Sequence, residues 1–481
     1  MSSTCDLGTG SAPALKPYPV YKPSGVDWLG EVPAHWRIVR NGQIFVQRIE
    51  TGFPELPILE VSLNTGVRVR NFENLDRKQI MTVRSEYKRA VGGDIAYNMM
   101  RMWQGAVGVT PVDGLVSSAY VVARPLDGTD PRYFSALFRT GAYTTEVDRS
   151  SRGIVKDRNR LYWIDFKQMA SPCPPFEEQA AIARYLDHAD RRIRRCIQAK
   201  EKLVELLEEQ RQALINEAVT GRFDVRTGQP FPAYKPSGVE WLREVPAHWE
   251  VRRLKTGVNN VLNLTSDRRD DEIYLALEHV ESWTGRVRSA EPDIRFDSQV
   301  KQFAPGDVLF GKLRPYLAKV AHPHRSGVCV GEFLVLRPRT SGLDSAYLAR
   351  FLRSRQTIDA INASTFGAKM PRAEWGFIGS LACPLPPLPE QAAIASYLDH
   401  ADEHIRCGIQ ATTRQIELLG EYRTRLISDV VTGKLDVRDA AAALSERDTL
   451  STESAGDSST ETAATPPSGL DPMPKATQAP A

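Results

Sequence analysis

A chain of 481 residues is too long for a single hydrophobic core, so several domains are expected; its 62 Lys+Arg nearly balance 59 Asp+Glu, and a net charge of only +3 confines any basic surface to local patches. No run approaches the ~18 apolar residues of a membrane span, and Met1-Ser-Ser-Thr lacks the basic start and apolar core of a signal peptide, so the expected location is cytoplasmic with no membrane partner. Six cysteines, Cys5, Cys173, Cys196, Cys329, Cys383 and Cys407, lie far apart without a Cys-x-x-Cys pair, which argues against a zinc knuckle or a disulfide framework.

In chain order, residues 1–20 are rich in small residues and proline and read as a flexible N-terminal segment. Residues 21–171 form a first domain opened by Tyr21-Lys-Pro-Ser-Gly-Val-Asp-Trp-Leu-Gly-Glu-Val-Pro-Ala-His-Trp36, and residues 227–383 form a second opened by the near-copy Tyr234 to Trp249. With two Trp and a Tyr, each segment predicts a clip that buries aromatic surface against a domain edge. The domains diverge more than their clips. At an offset of about 213 residues they still share Gly93-Asp94-Ile95 with Gly306-Asp307-Val308, Arg101 with Arg314, and Arg124-Pro125 with Arg337-Pro338. The chain is therefore a tandem duplication, with too long a period for a solenoid. Short β-rich runs (Pro57–Val61, Ile95–Asn98, Ala119–Ala123; Ile273–Leu277, Val308–Phe310, Val328–Leu336) followed by helices at Arg132–Arg139 and Ser345–Arg353 predict two α+β domains.

After each domain comes the most strongly repeated stretch. Residues 172–226 begin Pro172-Cys-Pro-Pro-Phe-Glu-Glu-Gln-Ala-Ala-Ile, and residues 384–438 begin Pro384-Leu-Pro-Pro-Leu-Pro-Glu-Gln-Ala-Ala-Ile. Prolines suit the approach to a helix, and Glu177, Glu178 and Glu390 suit the positive end of its dipole. Ile182, Leu186, Ala189 and Ile193, matched by Ile394, Leu398, Ala401 and Ile405, continue a 3-4 spacing over roughly 40 residues, or ~60 Å of helix. Such a helix needs a partner for its apolar stripe, and the other copy is the nearest. From 439 to 481 the chain turns to Ala, Ser, Thr and Pro and reads as a disordered low-complexity tail.

Clip, variable domain and Pro-Pro-x-x-Glu-Gln helix, each written twice over residues 21–438, resemble the specificity subunit of type I restriction-modification systems. The motifs that carry the resemblance are the two Trp-Leu-x-Glu-Val-Pro-x-His-Trp segments, the two helix starts, and Gly306-Asp-Val-Leu-Phe-Gly-Lys-Leu-Arg-Pro315. It implies an α+β fold in which two target-recognition domains, each reading half of a split sequence in double-stranded DNA, are separated by two long antiparallel coiled-coil helices in a pseudo-twofold arrangement. It further implies two modification subunits docked on those helices, and restriction subunits beyond them. S-adenosylmethionine, ATP and Mg2+ would belong to those partners, leaving this chain without a cofactor, a metal or a catalytic residue.

The residues suit that chemistry independently. Arg and Lys read guanine edges, whereas phosphates need only positive charge and backbone donors. The Gly- and Ser-containing basic loop 149–160 recurs as 364–372 and, with the residues beyond each Gly-Asp turn, gives the expected DNA contacts: Arg101, Arg152, Lys156, Arg158 and Arg160 in the first domain, Lys312, Arg314, Lys369 and Arg372 in the second. The aromatics Trp103, Trp163, Trp283, Trp375 and Tyr316 read as core. On the helices, Glu178, Gln179, Tyr185, Asp187 and His188 and their copies Glu390, Gln391, Tyr397, Asp399 and His400 read as a partner surface used twice. Two rivals are weighed. A coiled-coil scaffold explains the helices but not the basic loops. An adenine methyltransferase is suggested by Cys173-Pro-Pro-Phe176, which resembles the Asn/Asp-Pro-Pro-Tyr/Phe loop of such enzymes, but Cys173 and Leu385 stand where that loop needs a polar acceptor.

Overall fold

The computed structural model describes residues 15–63, 65–70, 84–153, 159–267, 269, 271–288, 299–339, 342–367 and 369–444. By contact the chain divides into two compact units, one made of the residues up to Ile197 together with those from Leu418 onward, the other of Gln198–Glu417.

The first unit is built on a four-stranded antiparallel sheet of β1 (Phe45–Arg48), β2 (Ile95–Asn98), β3 (Val107–Val109) and β4 (Tyr120–Pro125), in the order β1-β4-β2-β3. Helices Pro131–Phe138 and Gly141–Ser150 cover it, and Phe45, Phe134, Phe138, Tyr143 and Phe166 close the core between them at edge-on or tilted ring contacts. The second unit repeats the plan with β5 (Val258–Val261), β6 (Val308–Gly311), β7 (Val320–Ala321) and β8 (Phe333–Pro338) in the order β5-β8-β6-β7 under helices Ser345–Arg353 and Arg355–Ala363. The expected strand Val328–Leu336 is two strands, Gly327–Cys329 and β8, parted at Val330–Glu332, because the first half belongs to a second sheet. That sheet is four-stranded in the second unit and includes one parallel pair, Ile273–Leu275 with Gly327–Cys329; its place in the first unit is taken by two antiparallel pairs, Lys88–Ala90 with Gly114–Val116 and Leu59–Ser62 with Gly66–Val69, linked by a parallel bridge from Ile58 to Leu115.

Both predicted long helices are present, Phe176–Thr220 and Leu388–Val431. Within the second unit they run antiparallel: Lys200 donates to Gln415, and Leu207 packs at Gly408, so the numbers rise along one helix as they fall along the other. In the first unit Ile182, Leu186 and Ile193 share one core with Leu426, Val430 and Val431, while Arg423 pairs with Asp190.

The clips are folded as expected from their aromatics. Each is a short antiparallel pair, Tyr21–Pro23 with Glu31–Pro33 and Tyr234–Pro236 with Glu244–Pro246, and Trp36 and Trp249 are fully buried. Two expectations fail at the edges. Residues 15–20, read as part of a flexible lead-in, are packed: Lys16 bridges Asp436, and Tyr18 is buried against Tyr21 and Trp36, supplying the apolar contact that small residues and proline did not advertise. The tail, read as disordered from 439, is helical over 438–444 with Ala440 and Ala441 buried, so alanine there serves packing; residues 1–14 and 445–481 lie outside the described residues.

Candidate nucleic-acid interface

In both units a buried aspartate fixes the strand that leads to the basic residues. Gly93 and Gly306 take positive φ (+93° and +87°), a conformation glycine adopts without strain, and turn the chain into β2 and β6. The next residue folds its carboxylate back: Asp94 accepts from the Val91 amide at 2.8 Å and from Arg48 at 2.7 Å, and Asp307 accepts from the Ala304 amide at 2.7 Å and from Arg337 at 2.6 Å. The arginines come from different strands, β1 in one unit and β8 in the other, so the aligned pair Arg124 and Arg337 does not share a role.

Beyond β6, the main chain of Lys312 accepts from the Ala373 amide at 2.9 Å, Leu313 bridges Arg372, and the Arg314 amide donates to Pro371 at 2.8 Å. These bonds lay residues 312–314 beside 371–373 and bring together Lys312, Arg314 and Arg372, with Lys369 two residues before Pro371; all four are exposed or half-exposed. Arg314 sits at φ 51°, ψ 61°, a left-handed conformation that an L-residue adopts only against a steric cost, directly before Pro315, which fixes the turn that follows. Glu332 pairs with Arg372 at 3.1 Å and partly neutralises it. Beneath the edge, buried Lys301 donates to the Phe333 carbonyl at 2.7 Å; burial first, and then the charge of Lys312, pushes its pKa down.

The first unit makes the equivalent connection. The Leu161 amide donates to Met99 at 2.9 Å, where Ala373 meets Lys312 in the copy, and Arg152 and Arg160 exchange two 3.0 Å backbone bonds. Arg101, Arg152 and Arg160 are thus exposed on loops joined at one place, with Arg152 paired to Asp165. Lys156 and Arg158 lie outside the described residues. Tyr316, read as core, is instead 44% exposed beside Arg314, because the three-residue turn Pro315–Leu317 carries it outward; Trp103, Trp163, Trp283 and Trp375 are half-buried. Phe366 and Met370, passed over in the sequence, project from the same loop. Hydrophobic periodicity could not have marked them, since the loop has none.

The helix residues read as a partner surface divide in two. Glu178, Gln179 and Gln391 are buried and Glu390 nearly so, and their side chains are occupied inside their own unit, which corrects that assignment. Glu178 accepts from Tyr18 at 2.6 Å, His35 at 2.8 Å and the Trp36 indole at 3.0 Å; Glu390 accepts from the Trp249 indole at 2.8 Å, from His248 at 3.0 Å and from Arg226 at 3.3 Å. These carboxylates latch the clips. Gln179 and Gln391 accept from the Asp130 and Asp344 amides, both at 2.8 Å, and donate back to Pro174 and Pro386, tying each short helix to the start of its long one. Burial and Glu178 hold the Tyr18 hydroxyl far above the usual phenol range. Asp187, Asp399 and His400 remain exposed, and Tyr185, His188 and Tyr397 half-exposed, although Asp399 also pairs with buried Arg350. Among the described residues no three His, Cys, Asp or Glu side chains cluster to hold a metal ion, and no helix is long and apolar enough to cross a membrane.

Residues 299–417, which contain the second basic edge, match the family model of the type I restriction modification DNA specificity domain. The chain is 25% identical over 243 residues to the type I restriction enzyme EcoDI specificity subunit of Escherichia coli, a stretch covering 48% of this chain and 54% of that one, so the match spans about half the length of the curated relative. In fold it is similar to a chain solved in work on complex assembly and conformational transition of the type I R-M system (17% identity, TM-score 0.61, covering 84% of this chain and 99% of that one). It is also similar to the HsdS subunit from Thermoanaerobacter tengcongensis (18% identity, TM-score 0.51, covering 84% and 98%). The domain match over residues 299–417 and the curated relative both resemble specificity subunits of type I restriction-modification systems, and the two solved chains share the fold.

Proposed function

We propose that the chain is the sequence-specific DNA-binding subunit of a type I restriction-modification complex, each domain reading one half of a bipartite target in double-stranded DNA. The observation that carries this reading is the pair of basic edges built by the same backbone connection in both units, Met99 to Leu161 and Lys312 to Ala373. Each presents arginine and lysine on ordered turns, the side chains that read guanine and grip phosphate. The domains differ at the edge while the helix starts and clips are nearly identical, which suits two different half-sites and one partner met twice.

In this reading the long helices pair antiparallel along their length and set the spacer between half-sites. Two modification subunits dock on the duplicated exposed surface around Asp187 and His188, and Asp399 and His400, and bring S-adenosylmethionine; restriction subunits bring ATP and Mg2+ chemistry. The chain itself performs no catalytic step. Cys173, standing where an amino-methyltransferase loop needs a polar acceptor, is buried, and burial raises its pKa, so it stays a neutral thiol that cannot orient an amine. A scaffold that never touches DNA leaves the two basic edges without a purpose.

The test is methylation mapping with the assembled complex, backed by gel-shift competition between DNA sequences. A split recognition sequence with one half assignable to each domain is expected. No preference among sequences would leave only the scaffold reading.

A further inference from the structure

We propose that Phe366 is a specificity residue of the second domain and reads a thymine through its 5-methyl group, an inference that rests on the DNA-binding function proposed above. Phe366 is the most exposed large apolar side chain among the described residues, at 76%. It is not on a loose end. Its carbonyl accepts from the Arg372 amide, the two residues form a β-bridge, and Gly367 at φ +95° turns the chain immediately after it. The ring is therefore held out into water at a defined point of the basic edge, with Lys369 and Arg314 on the same edge and the exposed Met370 and Tyr316 beside it.

The first unit gives the contrast. There the residue that bridges the closing arginine is Arg152, paired with Asp165, so one domain offers a cation and the other an aromatic ring at the equivalent place. An edge that only gripped phosphate would gain nothing from phenylalanine. In the major groove the single apolar feature on any base edge is the thymine methyl, and phenylalanine is among the side chains that meet it. Cations along the edge would bring the phosphates close, and the ring would add discrimination without charge.

The experiment uses the assembled modification complex with wild-type chain, Phe366→Ala and Phe366→Leu, on a DNA library randomised over both half-sites. Phe366→Ala is expected to relax one thymine position, in the second domain's half-site only, by about fourfold, the weight of one buried methyl group; Phe366→Leu should keep part of the preference. Replacing that thymine by uracil should cost the wild type the same factor and cost the alanine variant nothing more. Unchanged preferences in both half-sites overturn the proposal, while a wild-type complex without any sequence preference overturns the DNA-binding reading itself. Uniform weakening in the alanine variant, with a change in 2-aminopurine fluorescence at a base step, would instead make the ring a wedge between base pairs and also overturn it.

Discussion

Glu178 is the point at which one substitution should loosen a whole clip. Its carboxylate is buried and receives three donors, and two of them, the Tyr18 hydroxyl and the Trp36 indole, are buried with it. Glu178→Ala leaves both without an acceptor, each at ~1–3 kcal/mol, so the first unit should lose about 2–6 kcal/mol. Glu390 supplies an internal comparison. Phe231 replaces Tyr18, and His248 and Arg226 are 44% and 47% exposed, so both can turn to water. Only the Trp249 indole is stranded by Glu390→Ala, which should cost about 1–3 kcal/mol. Amide hydrogen exchange on the intact chain reads the two units separately, which a single melting curve does not. Protection should fall over residues 18–36 and 176–186 in the first variant, and less over 231–249 and 388–398 in the second. Equal losses, or a larger one in the Glu390 variant, would refute the reasoning that buried donors set the cost.

Arg314→Ala should relax one position of one half-site if Arg314 reads a base, and should weaken binding uniformly with a shallower salt dependence if it grips phosphate; a randomised methylation library distinguishes the two. Inserting seven residues after both Leu207 and Leu419 keeps the heptad register, lengthens the pair by ~10 Å and should add about three base pairs to the mapped spacer. Gly433→Ala and Gly221→Ala place a methyl 2.4 Å from Pro33 and 2.5 Å from Pro246 at φ +79° and +72°, so each should destabilise its unit by well over 1 kcal/mol in denaturant titration. Burial pushes the Cys329 thiol up to about 12, so at pH 8 it should resist iodoacetamide in the native chain while exposed Cys407 reacts; mass spectrometry of labelled peptides checks this.

The duplication was legible because helix starts and clips are written almost letter for letter, and sheet order followed the same offset. What the sequence could not separate was why a residue recurs. Glu178 and Gln179 repeat as Glu390 and Gln391, and recurrence on a helix suggested a shared partner; their partners are Trp36 and Asp130, far away in sequence and brought near only by the fold. Asp94 and Asp307 keep their turn while drawing arginines from different strands, a choice made by tertiary packing and invisible to alignment. The basic edge was found by composition. The exposure of Phe366 and Tyr316 was not, since whether an aromatic faces core or water depends on the loop's path.

The first unit is assembled from two segments that flank the second, and this bears on how the protein is made. Tyr133 donates to the Val431 carbonyl, Tyr21 to that of Gly433, and Lys16 pairs with Asp436. On the ribosome residues 15–197 emerge before the second unit, yet their core lacks Leu426, Val430, Val431 and Val437 until the whole second unit has been synthesised. The second unit is one continuous stretch and can close as soon as it clears the exit tunnel. The domain translated first is thus completed after the second, with apolar surface open in the meantime, and a nascent chain stalled when residue 417 has just left the tunnel should hold a folded second unit and a chaperone-dependent first.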